Sequence, residues 1–434
     1  MLTDPEIADD DDGEQKPVIL VGYSRAWLGA LAKFEPGRSL IFVEEPDVIR
    51  KRDVWSEIAD STPVRELIEW EYQLDASADR FYHRHRHPRP AAVVPVVEYS
   101  VPFAARLAER FGVAGAGYGA ARLLRDKHLL RQVTSAAGIP NPRSVAVSGP
   151  AEVRAFMAEI GGPIVLKPAN RQASVGTRIV SGPHEIDEAW IECTDQDEGV
   201  YFPDRPMPLH MLAERFVRGE EFSVEMMVRG GRPVFGAATR KFLFAGPRPV
   251  ERGHLHPADV GAELTGRLVA DTARVLDAVG MDTGFAHCEW IVERGVPQLV
   301  ECAGRLAGGG IMDIVGLAWQ YDVFGQYLAM MRGEPPADAP PVAARYAAAW
   351  LSRAPAGEVV SVEGVEEARA ASGVHLCSVA VEPGEHVHEL RSSWDRVALV
   401  KAEGATPAEA LANARRAIER IVIRVRPAAA QAPA

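Results

Sequence analysis

The tightest constraint on how this chain folds is the stretch 285–313, FAHCEWIVERGVPQLVECAGRLAGGGIMD. Two short apolar runs flank Arg294, Gly295 and Val296, the signal for a β-hairpin with a glycine-containing loop. With a three-residue loop, Glu293 opposes Pro297 and Glu289 opposes Glu301, so both of the latter carboxylates leave one face with Cβ atoms about 5 Å apart. Two arrangements satisfy such a pair: both acids are solvated on an exposed hairpin, or a cation lies between them. Mg²⁺ suits the second, because it takes one or two carboxylates and completes its shell with water and phosphate oxygens. Arg305 and the run Gly308, Gly309, Gly310 follow at once, adding a fork that matches phosphate and a backbone open to close approach.

The rest of the chain reads as three α/β units. The consecutive acids Asp9 to Asp12 repel one another and bury nothing, so 1–16 is expected to be a disordered tail. Buried-strand patterns at 18–22 and 40–44, separated by a helix-compatible run, predict a parallel α/β unit over 17–119. A further strand at 91–97 ends on Glu98, Tyr99 and Ser100, where ligands of such folds gather. Ser100 fits a helix N-cap equally well. A second unit, 120–334, holds a basic helical patch at 122–131 and strands at 163–167, 177–180, 211–216, 221–228 and 234–239, with a long helix at 262–279. The proline- and alanine-rich run 335–341 reads as a linker. Beyond it, strands at 344–351, 375–381 and 396–403 and helices at 363–371 and 407–424 make a C-terminal unit over 335–426, followed by a tail at 427–434.

A net charge of −12 excludes a general positive field for nucleic acid, so an anionic small ligand needs locally placed lysines and arginines. The four cysteines have no metal-ligand spacing and read as reduced thiols. No apolar run approaches membrane-spanning length, and the N-terminus is acidic where a signal peptide is basic; a cytoplasmic protein is expected.

The lysines Lys127, Lys167 and Lys241 are therefore the cations to follow. Lys167 ends a buried apolar strand, where it needs an anion as partner or a route to water. The loop after it, with Ser174, Val175 and Gly176, presents backbone N–H groups to phosphate oxygens, although it lacks the GxxxxGK[ST] pattern. In the hairpin 213–225, AERFVRGEEFSVE, Glu221 is placed to accept from two hydroxyls; as an isolated hairpin these acids are surface groups.

In this order, a helix lysine, a strand lysine with its loop, E-x-F-V-x-G-x-E-F-S-V-E, a basic strand, and two opposed glutamates before R-L-x-G-G-G resemble the ATP-grasp superfamily over about 123–331. The flanking units are similar to those of the L-amino acid ligase and carnosine-synthase-like branch. The resemblance implies an ATP-grasp fold, α/β, with an N-terminal parallel α/β domain and a C-terminal α+β domain. It also implies that Lys127 and Lys167 bind the α- and β-phosphates, that Ser174, Val175 and Gly176 cover the phosphates, and that Glu214, Phe216 and Val217 contact adenine. Glu221 would hold the ribose, Lys241 would reach the γ-phosphate, Glu289 and Glu301 would bind Mg²⁺ or Mn²⁺, and Arg305 would hold the transferred phosphoryl group or acyl phosphate, with Gly308 and Gly309 beside the substrate. One position departs from the family's E-x-N-x-R: Ala303 stands where a side-chain oxygen is expected, which puts one metal ligand in doubt.

The run 249–257, PVERGHLHP, resembles the substrate loop of amino acid ligases. Glu251 is suited to an α-ammonium group, and His254 to a carboxylate contact or a proton relay near neutral pH, whereas His256 fits a polar surface loop as well. The basic run Arg84 to His87 reads as solvated. The resemblance implies an ATP-dependent carboxylate–amine ligase that works through an acyl phosphate on small-molecule substrates, and, by resemblance alone, a homodimer. Biotin-carboxylase-like and purine-pathway enzymes share the same nucleotide site, and a non-catalytic nucleotide-binding protein is the remaining alternative.

Overall fold

Strands that alternate between two apolar faces demand a cover on each side, and the N-terminal unit is built that way. In the structure, a computed structural model that describes residues 16–32, 39–59, 61, 63–195 and 198–427, a parallel sheet has the order Val64–Glu69, Leu40–Glu44, Val18–Val21, Ala92–Pro95. Ile19, Val21, Ile41, Val43 and Val93 face the helices Ser77–Arg84 and Val101–Phe111. Val18, Leu20, Leu40, Phe42 and Val94 face Ile311–Trp319 and Val323–Met331. The acidic run Asp9 to Asp12 lies outside the described residues, as does 428–434.

A second sheet, antiparallel, has the order Ser144–Val147, Met211–Arg215, Ile164–Pro168, Arg178–Val180. Its Ile164, Leu166, Met211 and Ala213 pack on the helices Pro150–Ile160 and Ile186–Thr194. Period-two alternation therefore puts Val165, Lys167 and Glu214 on the opposite face.

The largest sheet has eight strands in the order Val296–Ala303, Gly284–Glu293, Glu220–Arg229, Arg232–Leu243, Glu251–His256, Tyr346–Ser352, Ala398–Gly404, Val374–Val379, all antiparallel. Its faces separate by the same alternation. Phe222, Val224, Met226, Ala286, Cys288 and Trp290 pack against Leu268, Val275 and Leu276 of the helix Ala262–Val279. Glu221, Ser223, Glu225, Thr239, Lys241, His287 and Glu289 alternate with these residues and so share the other face. Because Glu251–His256 pairs with Tyr346–Ser352, the sheet runs without a break past the linker at 335–341. A small sheet, His386–Val387, Gly357–Glu363, Val422–Arg426, completes the C-terminal region.

Four local expectations are corrected. The hairpin loop is two residues, Arg294 and Gly295, both at positive φ, so Glu293 pairs with Val296 and not with Pro297. A bulge beside Trp290 absorbs the extra residue and restores Glu289 opposite Glu301. The run 249–257 is not a loop, because Glu251–His256 is a strand paired on both edges. The final helix stops at Ile418, since Val422–Arg426 forms a strand against Gly357–Glu363, which itself precedes a shorter helix, Val365–Arg369. Among the described residues no helix is long and apolar enough to cross a membrane, and the four cysteines are free and buried.

Candidate active site

One cavity of about 820 Å³ collects residues from the carboxyl ends of the parallel strands, from the polar faces of both antiparallel sheets and from segment 393–396 of the C-terminal region. Of the residues expected in the site, all line it except Lys241, which is buried behind the wall, Gly176, Glu98 and Ser100. Gly176 supports the loop from beneath: it sits at φ +65°, and a Cβ there would lie 2.6 Å from the Cys193 carbonyl oxygen.

At one end, strand register sets the charges. Glu289 faces Glu301 across the hairpin, and Lys241 is the direct cross-strand neighbour of both Glu221 and His254. The Lys241 ammonium lies 2.9 Å from Glu221 and 3.2 Å from Glu251, and it also bonds Glu289. Burial opposes charge on Glu289, but Lys241 and His287 hold its carboxyl well below the usual range. Burial pushes Glu221 up, and the Glu289 and Glu251 charges assist, against the pull of Lys241. His287 bridges Glu225 at 2.9 Å and Glu289 at 3.0 Å. Burial disfavours its cation, yet the two carboxylates raise it to about 9. Glu225 in turn accepts from Ser223 and Thr239, and Thr239 contacts His256, which accepts from Trp319. His256 is therefore fully buried structure, not a surface loop residue.

Glu301 pairs with Lys127 at 2.9 Å. Among the described residues no cluster of three or more His, Cys, Asp or Glu is set to hold a metal ion. The protein thus offers two facing carboxylates, which fits Mg²⁺ whose remaining ligands are water and phosphate oxygens. Ala303 lies directly opposite His287 and supplies no oxygen.

Lys167 is 2.7 Å from Glu214, whose other oxygen meets Arg131 at 2.9 Å. With both oxygens committed, Glu214 anchors the two cations. The Phe216 N–H donates to Pro163, and Phe216 and Val217 line the wall. Ala173 and Ser174 both take positive φ, and their loop is tied across the cavity: Ser174 Oγ donates to Pro249 O (2.9 Å) and the Ser393 N–H to Ala173 O (2.9 Å). Arg305 sits 2.9 Å from Glu98, so the end of the parallel sheet reaches the reaction end; Ser100 instead donates to Val97 O.

The strand Glu251–His256 adds a third set. Glu251 accepts from Ser393 Oγ at 2.8 Å and lies 3.4 Å from Arg396. Burial pushes the His254 imidazole down to about 3, and its buried Nδ1 has no partner among the described residues. At neutral pH His254 is an uncharged hydrogen-bonding group, which removes the expected relay of a proton near pH 7. A Cβ on Gly309 would stand 3.1 Å from its Nε2, so glycine there keeps this approach open. Sequence reasoning missed His287, Arg396 and Ser393. His287 is two residues before Glu289, hence on its face, a signal that period two supplies; nothing local marks Arg396.

Residues 160–313 match the ATP-grasp domain and residues 349–426 match the L-amino acid ligase C-terminal domain 2. An uncharacterized protein of Sinorhizobium fredii is 29% identical over 333 residues, 76% of this chain and 67% of that protein. Alanine–anticapsin ligase of Bacillus subtilis is 24% identical over 300 residues, 66% of this chain and 60% of the relative, so the chain spans about two thirds or less of the length of these relatives. The crystal structure of L-amino acid ligase from Bacillus licheniformis superposes with a TM-score of 0.77 at 17% identity, covering 95% of this chain and 99% of the other. The chain thus carries an ATP-grasp domain at 160–313 and an L-amino acid ligase C-terminal domain 2 at 349–426, and is L-amino acid ligase-like in its matched domains and its fold.

Proposed function

We propose that the protein is an ATP-dependent ligase that joins a carboxylate, supplied by an amino acid, to an amine. The observation that carries this reading is the register of Glu289 opposite Glu301 in a cavity that Lys127, Lys167 and Arg305 also line. In the proposed reaction the γ-phosphoryl group passes to a carboxylate oxygen, giving ADP and an acyl phosphate. The amine nitrogen then attacks the acyl carbon, the C–O bond to phosphate breaks, and the amine loses a proton as the amide forms. Glu289 and Glu301 are the residues that would hold Mg²⁺ or Mn²⁺, which when bound neutralises charge on the phosphoryl group.

The chain's own residues do the positioning. Lys127 and Lys167, held by Glu301 and Glu214, present ammonium groups to the phosphates. Arg305, steadied by Glu98, faces the moving phosphoryl group or the acyl phosphate. Glu251 accepts the α-ammonium group of the donor, and neutral His254 offers an uncharged nitrogen beside it. The loop around Ser174, bonded to Pro249 and Ser393, limits water, which would otherwise hydrolyse the acyl phosphate.

The test is phosphate and ADP release from Mg-ATP with a panel of amino acids, with hydroxylamine present in parallel to trap an acyl phosphate as hydroxamate. ADP, hydroxamate and a dipeptide support the reading. ATP binding without turnover in any mixture refutes it in favour of a nucleotide-binding protein, and turnover dependent on bicarbonate alone refutes it in favour of a carboxylase-type reaction.

A further inference from the structure

Most of the cations in the cavity wall are balanced by the protein's own carboxylates, and two are not. Every lysine and arginine lining the cavity has a carboxylate within 4.0 Å except Arg25 and Arg52, which have none among the described residues. In a chain of net charge −12, two cations in one wall without an ion-pair partner among the described residues are a specific feature.

Their place in the fold is one where ligands bind. Val18–Val21 lies between Leu40–Glu44 on one side and Ala92–Pro95 on the other, so the strand order reverses there. The cavity takes in Arg25 just beyond the first of these strands and Val97 just beyond the last, which is the crevice outside the carboxyl ends at the switch point.

Arg52 is also held ready. Its guanidinium lies over the ring of Tyr23 at 5.1 Å and that of Tyr201 at 4.9 Å, and Nη1 donates to the Tyr23 carbonyl at 2.8 Å. One donor is spent, and the fork's remaining N–H groups are fixed in orientation without being neutralised. The nearby Glu44 forms no ion pair with it: its oxygens accept from the backbone N–H groups of Tyr23 and Glu45 at 2.7 Å each, and its carboxyl acts on Arg52 only at longer range. Trp27 and Phe324 give the same wall an apolar part.

We propose that Arg25 and Arg52 bind an anionic head on a short apolar stem, so that one of the two substrates joined is a dicarboxylic amino acid or a close analogue. This rests on the ligase reading for its reaction, and on the cavity alone for its binding.

The test uses the full chain in two ways. In steady-state ADP release, kcat/KM for glutamate over glutamine, and for aspartate over asparagine, is expected to favour one acid by at least about tenfold. Arg25→Gln with Arg52→Gln is expected to lower that ratio at least about tenfold, and Arg52→Lys to restore part of it. A wholly structural role for Arg52 would lower both members of a pair together and leave the ratio unchanged. In calorimetry, glutarate and 3-phosphonopropionate are the probes: arginine-dependent binding of either supports the site, and the tighter of the two tells a carboxylate head from a phosphonate one. Neutral amino acids turned over with no preference for acids, together with no binding of either probe, overturn the site and leave the ligase reading standing. Arginine-dependent probe binding with no turnover of any amino acid keeps the site and removes the ligase reading.

Discussion

Replacing Lys241 by methionine tests the charge arrangement most directly. The ammonium group is buried and meets three carboxylates. After its removal Glu289 keeps His287, and Glu251 keeps Ser393 and Arg396, but Glu221 keeps no cation among the described residues. Removing one partner of a buried pair costs about 3–5 kcal/mol when the other charge stays. Glu221 has an escape: it can take a proton. From the ordinary carboxylate value of 4.5, that costs about 1.4 kcal/mol per pH unit, so the loss is limited to about 3 kcal/mol at pH 7 and nearly vanishes near pH 4.5. The sign follows from a folded-state pKa raised above the unfolded one: stability is fully present at low pH and is lost as pH rises. Urea unfolding followed by tryptophan fluorescence and circular dichroism at pH 5 and pH 7.5 reads the difference. The variant is expected to be near wild type at the lower pH and clearly weaker at the higher, and adding Glu221→Gln should flatten that dependence. Equal loss at both pH values, or no loss at either, would refute the reasoning.

Glu301→Ala should abolish ATP turnover in a coupled ADP assay, because it removes one of the facing carboxylates and the partner of Lys127, whereas Ala303→Asn should leave turnover intact or lower the Mg²⁺ needed for half-activity. Burial pushes the Glu44 carboxyl up to about 7, so it binds a proton in the folded chain that the unfolded chain releases near 4.5; stability should fall by up to about 3 kcal/mol between these pH values, and Glu44→Gln should remove that slope from a pH series of unfolding curves. Gly253→Ala places a Cβ 2.2 Å from the Trp350 ring, and since overpacking of this kind costs about 1–3 kcal/mol, the melting temperature should drop.

The chemistry-bearing order of this chain was legible because alternation along a strand is a local property. Glu289 and Glu301 were placed on one face from spacing alone, and that held although the turn was a residue shorter than expected, because the bulge beside Trp290 compensates. What spacing does not carry is which strands become neighbours. Glu251–His256 is short, charged and flanked by prolines, so it looks like a loop until Arg232–Leu243 and Tyr346–Ser352 pair with its two edges. Arg396 and Ser393 enter the site because Tyr346–Ser352 pairs in turn with Ala398–Gly404, which brings together segments about 140 residues apart. The short terminal strand Val422–Arg426 was hidden by the helical pattern before it; its partner decides its state.

The unbroken eight-stranded sheet has a consequence for how this protein can be cut. A fragment ending at the 335–341 linker keeps the Glu289–Glu301 hairpin, Lys127, Lys167 and the loop around Ser174. It would bare the Tyr346-facing edge of Glu251–His256, a row of open N–H and C=O groups beside an otherwise buried strand. Such a fragment would recruit other chains along that edge, and soluble dissection of the molecule requires a break that leaves Tyr346–Ser352 in place.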